Sequence, residues 1–261
     1  MAPPPLIQFK NVKKAFGPKV IYSGLDLDVA RGETITILGA SGSGKSVMLK
    51  MLIGLLEADS GEILFDGRDV TKMDEHELYD VRRRIAYLFQ GAALFDSLSV
   101  GENVAYGLRE QNWNTMSDEE IRRRVGQSLQ MVGLPGIEDM RPSDLSGGMK
   151  KRVGLARTLA LQPEVLLYDE PTTGLDPINT ARINHLIAGI KRSIGITSVV
   201  VTHDMGTAFS VSDRLAMLGK GRVLMEGSPE HFRTTRDPYV RDFIDGKAPE
   251  VEDVDVLLST S

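Results

Sequence analysis

The spacing of apolar and polar residues along this chain changes period several times, and each change marks an element. In the first thirty positions, short apolar alternations at 7–12, 20–22 and 25–29 predict strands interrupted by the turn signal Gly17-Pro18. Residues 33–38 then read as a buried strand running into glycines, and 45–56 carries apolar residues at helical spacing, which together make one βα unit. Residues 62–65 predict another strand ahead of the Asp66-Gly67 turn, 74–84 a helix, and 85–89 a return to strand. From about 100 to 161 the period is helical, with helices expected over 100–109, 117–132 and 146–161. The second of these opens on Asp118, Glu119 and Glu120, acids that favour a helix N-terminus. Apolar runs at 165–169 and 197–202 predict buried strands, 179–194 and 204–211 predict helices, and 214–218 with 222–226 predict a hairpin around Gly219-Lys220-Gly221. Buried strands alternating with helices predict an α/β fold with a mostly parallel sheet, preceded by an antiparallel β subdomain. A helical subdomain over 93–162 is expected as an insertion between two strands.

Composition and charge narrow the class. The 261 residues are 41% hydrophobic, enough for a large core. Against 36 Asp+Glu stand 31 Lys+Arg, a net charge of −5, so the chain lacks the broad positive field that holds nucleic acid, and no nucleic-acid partner is expected. With no Cys there is no disulfide framework and no thiolate zinc site, which fits a reducing compartment. The start, Met1-Ala2-Pro3-Pro4-Pro5, shows neither a basic segment nor an apolar stretch of signal-peptide length. Apolar runs such as 165–168 and 198–201 fall far short of the ~20 residues that span a bilayer, so any membrane role is expected to go through a partner. Residues 1–247 are expected to form the folded domain. The end, 248–261, carries Glu250, Glu252, Asp253 and Asp255 without a basic residue, and is expected to be a solvated, mobile tail. The basic triplets Arg82-Arg83-Arg84, Arg122-Arg123-Arg124 and Lys150-Lys151-Arg152 are expected to be solvated helix faces, the first two balanced by nearby acids.

Two motifs carry chemistry. Gly39-Ala40-Ser41-Gly42-Ser43-Gly44-Lys45-Ser46 matches G-x-x-x-x-G-K-[ST] between a predicted buried strand and a helix. Glycines let the backbone wrap phosphates so that successive N–H groups and the helix N-terminus face the anion. Lys45 adds a cation at the β/γ-phosphates of ATP, and Ser46 can ligate Mg²⁺. The apolar run Val165-Leu166-Leu167-Tyr168 ends in Asp169 and Glu170, delivering two carboxylates at the strand edge where ligands bind in open α/β sheets. Were the strand to continue, the two would point to opposite faces, Asp169 to the Mg²⁺ shell and Glu170 to the attacking water. The expected class is a P-loop NTPase of the RecA-like kind.

A third motif, Leu145-Ser146-Gly147-Gly148-Met149 followed by Lys150-Lys151-Arg152, decides among such enzymes. Here the chain resembles the ATP-binding-cassette (ABC) ATPases, whose signature is L-S-G-G ahead of a basic helix. The resemblance covers nearly the whole chain: Gln90 stands where that family has its Q-loop, Gly174-Leu175-Asp176-Pro177 where it has its D-loop, and His203 where it has its switch histidine. The resemblance implies a head-to-tail homodimer in which Ser146, Gly147 and Gly148 of one subunit close over ATP held by the other. It implies that Gln90 contacts both Mg²⁺ and the water, and that His203 holds the γ-phosphate and positions the water against the general base Glu170. Phe16 falls where the family places an aromatic that stacks on adenine; a plain core role for Phe16 is the other reading.

Among ABC ATPases, 88–105 and the ending 237–246 look like those of the Mla-type lipid-transport ATPases, with an F-Q-x-x-A-L-F-D-S stretch and an N-V-A-x-x-L-R-E run at 103–110. That resemblance implies a separate integral membrane permease, a small regulatory subunit, a lipid-binding protein, and a place on the cytoplasmic face of the inner membrane. Amino-acid-type importers rank second, drug exporters third. Soluble repair or ribosome-acting ABC ATPases are disfavoured by the lack of Cys, the short stretch between P-loop and signature, and the single cassette. The apolar residues Ala92 to Phe95 suit either a surface that receives a permease helix or a core-packed loop.

Overall fold

The computed structural model describes residues 3–111 and 115–247, so the acidic stretch 248–261 lies outside the described residues. The chain opens with an antiparallel hairpin, β1 (Ile7–Phe16) and β2 (Lys19–Val29), turning at Gly17 and Pro18. The pattern of short strands expected for this region is corrected to two long ones. Register shifts after Phe9, Val12 and Lys14 break the period-2 alternation that a sequence reading relies on, while the ladder continues across them. Next come β3 (Thr34–Leu38), α1 (Lys45–Leu52), β4 (Ser60–Phe65), β5 (Arg68–Asp69), α2 (Glu75–Arg84) and β6 (Ile85–Leu88). A capping box at Asp74 and Glu77 fixes the start of α2.

Helices α3 (Val100–Gln111), α4 (Asp118–Met131) and α5 (Gly147–Ala160) all fall between β6 and β7 (Val165–Asp169). Then follow α6 (Pro177–Ile194), β8 (Thr197–Val201), α7 (Met205–Val211), β9 (Arg214–Gly219) and β10 (Arg222–Gly227). The β9–β10 turn places Lys220 at φ +51° and Gly221 at φ +73°, the conformation a two-residue hairpin needs. Two short helices, α8 (Pro229–Thr234) and α9 (Pro238–Ile244), were not foreseen from periodicity, because one or two turns show too little of it. Each has Pro at its start and a capping side chain, Ser228 or Asp237.

Among the described residues β2, β1, β4 and β5 form an antiparallel sheet, and β10, β9, β3, β8, β7 and β6 form a second sheet in that order. Pairs β9–β3, β3–β8, β8–β7 and β7–β6 are parallel, with β10 as the antiparallel edge. One apolar cluster fills the space between the two sheets, around α1 and α2; another packs α3 to α6 on the opposite face of the parallel sheet. A smaller third cluster seats α8 and α9 on β9 through Phe232 and Val240. The C-terminal ends of β3, β7 and β8 therefore lie side by side, each leading into a turn that carries functional residues. No helix among the described residues is long and apolar enough to cross a membrane.

Candidate functional site

The glycine loop leaves β3 and enters α1 under close packing. Gly44, the N-cap of α1, sits at φ +101°, and a Cβ there would stand 2.6 Å from Ile21 Cγ2 and 2.8 Å from the Tyr22 hydroxyl oxygen. Only glycine lets the loop lie this near β2, where the Tyr22 hydroxyl donates to the Gly44 carbonyl at 2.7 Å. Lys45 is buried; its Nζ donates to the carbonyls of Gly39 (2.7 Å) and Ala40 (3.1 Å) and stands 3.8 Å from Glu170 Oε1. Burial holds this ammonium below its ordinary pKa, with Glu170 and Asp169 pulling the other way. Ser43 Oγ is buried with no hydrogen-bond partner among the described residues.

Ser46, in the first turn of α1, donates to Asp169 Oδ1 at 2.7 Å, and the Tyr87 hydroxyl donates to Asp169 Oδ2 at 2.7 Å. Burial, and then the neighbouring Asp169, push the Tyr87 hydroxyl above its ordinary pKa, so it stays protonated as a donor. A hydroxyl and a carboxylate held together are hard oxygen donors, and Mg²⁺ is ordinarily held by one or two carboxylates plus substrate phosphate. The donor set fits that ion. No cluster of three or more His, Cys, Asp or Glu suited to a metal occurs among the described residues, so an all-protein metal cage is not part of this fit.

Glu170 departs from the sequence expectation. β7 stops at Asp169, and Glu170 takes φ +49°, so a turn, not the alternation of a continuing strand, separates the two carboxylates. The left-handed conformation costs a non-glycine residue roughly 1–2 kcal/mol and persists where its surroundings hold it. They do so on every polar atom. Glu170 N donates to the Val201 carbonyl at 2.9 Å, and Thr173 and Thr202 hydroxyls donate to Oε2 at 3.1 and 3.2 Å. His203 Nδ1 lies 3.0 Å from Oε1, and Lys151 Nζ donates to the Glu170 carbonyl at 3.2 Å.

These groups open into a cleft of about 820 Å³ lined by Ala40, Ser41, Gly42, Gly44, Lys45, Ser46, Gln90, Glu170 and His203. Phe16, 45% exposed, forms part of the wall beside Lys19 and Ile21, and Lys14 Nζ lies 5.2 Å from its ring centre. An exposed ring on the cleft wall overturns the plain core reading of Phe16. Asp242, Phe243 and Lys247 of the α9 region complete the rim; their helix was not expected, so neither was this wall. Gly39 and Ser43 belong to the loop without facing the cleft, and Asp169 stands behind Ser46.

Ser146, Gly147 and Gly148 are not part of the lining. They form the start of α5, where exposed Ser146 is the N-cap and its Oγ accepts from Met149 N at 3.3 Å. Gly148 is buried against α6: a Cβ there would meet Asn179 Oδ1 at 2.8 Å. The cleft and the exposed N-terminus of α5 are thus separate places on the chain.

The basic triplets behave differently from expectation. Arg82 donates to the Ile53 and Gly54 carbonyls, and Arg84 to Asp66 and Glu164. Lys151 is buried, and Arg152 donates to the Val132 and Gly133 carbonyls at the end of α4. Only Arg83, Arg122 and Arg123 are exposed, and Arg82, Arg84, Lys151 and Arg152 tie one element to another; charge balance along the sequence does not reveal burial. Of 92–95, Ala92 is buried, Leu94 packs on the helical cluster, and Ala93 and Phe95 are exposed. Phe95 stacks on Tyr106 with ring centres 4.6 Å apart, and with Ala93, Phe89 and Tyr87 it lines a groove of about 450 Å³ beside β6. Asn103, missed in the sequence, is fully buried and holds this loop: its side chain accepts from Phe95 N and donates to the Phe95, Leu98 and Ser99 carbonyls.

Residues 22–173 match the pattern of the ABC transporter family. The chain belongs to that family. As an ABC chain it is 43% identical over 241 residues, 92% of its length and 69% of the relative's, to the "Probable ribonucleotide transport ATP-binding protein mkl" of Mycobacterium leprae. It is 40% identical over 243 residues, 93% of its length and 91% of the relative's, to the intermembrane phospholipid transport system ATP-binding protein MlaF of Haemophilus influenzae. Among solved structures it is similar to the ATP-binding cassette MJ0796, a dimer in a post-hydrolysis state bound to ADP and Pi, with TM-score 0.78 and 34% identity across 85% of this chain and 98% of that one. The ABC chain described here is accordingly the ATP-hydrolysing subunit of a transporter.

Proposed function

We propose that two copies of this chain pair head-to-tail, each closing its Ser146-Gly147-Gly148 helix end over ATP in the other's cleft, and so drive a separate membrane permease that moves phospholipid. The observation that carries the pairing is the split site. The cleft holds Lys45, Ser46, Gln90, Glu170 and His203, while the signature residues stand exposed outside its lining. A helix end with an exposed serine and glycine amides is suited to the anion of a second copy.

In this reading, the backbone of 39–44 and Lys45 hold the β/γ-phosphates, and Phe16 stacks on adenine. Ser46 and Asp169, with Gln90 reaching in from its loop, hold Mg²⁺, which neutralises phosphate charge when bound. Glu170 Oε accepts the proton of the attacking water, and His203, fixed through Nδ1 against Glu170, turns its ring to the γ-phosphate. The buried Thr202 hydroxyl on Oε2 keeps the carboxylate from rotating away.

Phospholipid as cargo is supported by a similarity that runs along 91% of the MlaF relative, against 69% of the mkl relative. The same reading puts the subunit on the cytoplasmic face of the inner membrane, with a permease, a small regulatory subunit and a lipid-binding protein as partners. The test is reconstitution with the permease in vesicles. ATP-dependent movement of a labelled phospholipid, with no uptake of labelled ribonucleotide or amino acid, is expected. Uptake of either of those without lipid movement would replace the phospholipid reading.

A further inference from the structure

Lys151 is 6% exposed and sits on α5, five residues after the signature serine. A buried ammonium is costly unless it is hydrogen-bonded and faces opposite charge. Among the described residues, its Nζ donates to the backbone carbonyl of Glu170 at 3.2 Å. Glu170 is the residue whose carboxylate is aimed at the cleft and whose backbone is left-handed at φ +49°. The Glu170 carbonyl also accepts from Thr173 N at 3.3 Å, so Lys151 closes the turn from the α5 side while Thr173, Thr202 and His203 hold the carboxylate.

We propose that Lys151 is a positioning residue for the catalytic Glu170, so that α5 serves two nucleotides at once: its N-terminus the ATP held by the partner, and its second turn the base acting on the ATP in its own cleft. This rests on the head-to-tail reading above. The helix is well suited to carry such a link. It is 14 residues long, and its interior runs against the sheet so closely that a Cβ on Gly154 would meet Leu88 Cδ1 at 3.1 Å and Ala92 Cβ at 3.2 Å. Further along, Arg157 donates to the Ala93 and Ala92 carbonyls at 2.8 and 2.7 Å, tying the loop after Gln90 to the same rod. A shift of α5 on closing over the partner's nucleotide would therefore be transmitted to Glu170 through one hydrogen bond, with no flexible segment between.

The placement of the lesion distinguishes this role from a structural one. In a mixed dimer, one subunit carries Ser146→Arg and the other Lys45→Ala, which leaves one intact site made from the P-loop of the first and the signature of the second. Activity of that dimer without further change tests the head-to-tail reading by itself. Lys151→Met is then added to one subunit at a time. On the subunit giving the P-loop and Glu170, kcat of the live site is expected to fall about 10- to 100-fold, the size of loss a displaced catalytic group causes. On the subunit giving only the signature, the rate should stay within about two-fold of the unmodified mixed dimer, since no group in contact with the live site has moved. Equal losses in both placements, or the larger loss on the signature side, would overturn the proposal, because a packing defect in α5 acts there too.

Lys151→Arg retains a charged donor of sufficient reach and is expected to recover part of the rate, whereas Lys151→Gln keeps only a neutral donor on a stem one atom shorter. If Lys151→Met does not fold, Lys151→Gln carries the same two-placement test. If the unmodified mixed dimer is inactive, the pairing reading fails, and Lys151→Met is judged alone in the otherwise unmodified protein. There, unchanged ATP affinity with lowered kcat supports positioning, and unchanged kcat overturns it.

Discussion

A single backbone angle organises the chemistry of this site. Because Glu170 turns left-handed, its carboxylate swings off the strand axis and is received by Lys45, Thr173, Thr202 and His203 instead of lying across the sheet from Asp169. Glu170→Gln keeps the shape and can still accept from Thr173 or Thr202, but it cannot take a proton from water. ATP affinity is therefore expected to stay near parental while hydrolysis falls 10²–10⁴-fold, the usual range for loss of a general base. Equilibrium nucleotide binding and single-turnover hydrolysis on the same preparation check both halves. At this scale the sequence was informative wherever chemistry needs a residue type at fixed spacing. Gly42, Gly44, Lys45, Ser46, Glu170 and His203 line one cleft, with Asp169 bonded to Ser46 behind it. Tyr87, Asn103 and Lys151 were not legible, because each acts through a contact distant in sequence, and a tyrosine in a strand or a lysine in a basic run looks like any other.

Among the elements, the long apolar strands and helices were legible and the punctuated ones were not. Residues 165–169 are as regular as a strand can be, whereas β1 carries bulges and α8 and α9 are one or two turns long. What locks the elements to one another is largely charge arranged across sequence distance. Arg84, at the end of α2, donates to Glu164 through both Nε and a terminal nitrogen at 2.7 Å and to Asp66 at 2.6 Å, and its guanidinium lies 4.6 Å from the Phe65 ring centre. It thereby ties the β4–β5 turn, the start of β6 and the approach to β7. The Arg84 hydrogen bond is the main cause that holds Asp66 and Glu164 below their ordinary values of 3.8 and 4.5. Depressed carboxylates stabilise the fold above their ordinary pKa, and that stabilisation is lost as pH falls through the lower folded value. With Glu164 and Asp66 side chains 44% and 35% exposed, solvent screening limits the network to about 1 kcal/mol. Arg84→Met is thus expected to melt about 2–4 °C below the parent at pH 7. Because the variant has less to lose in acid, the two melting curves should converge as pH is lowered toward 3. Thermal scans across that range test the sign, and a gap that widens in acid would contradict it.

For the whole molecule, the decisive consequence of the proposed head-to-tail pairing is that neither half of the site works in one chain. The cleft lining does not include the signature residues, so under that pairing turnover depends on how often two copies meet. A permease that holds two subunits together raises their effective concentration, and hydrolysis by the isolated subunit is expected to be slow and to accelerate when its membrane partner is added. The surface we propose to receive the partner is the groove beside β6, where the exposed Phe95 ring lies against Tyr106, above a loop fixed by Asn103 from α3 and Arg157 from α5. Because Leu94 packs inward on the helical cluster, substituting it would test folding more than contact. Phe95 is the better probe: 43% exposed and outside the catalytic cleft, it can be changed to Asp without touching Lys45, Glu170 or His203. Charge placed in an apolar contact costs the complex far more than the free subunit, where the carboxylate stays in water. Phe95→Asp is therefore expected to keep the basal rate within about two-fold and to lose most of the acceleration by the permease. Rates of parent and variant, each measured alone and with the permease in lipid vesicles, decide the point; equal acceleration of both would place the coupling surface elsewhere on the chain.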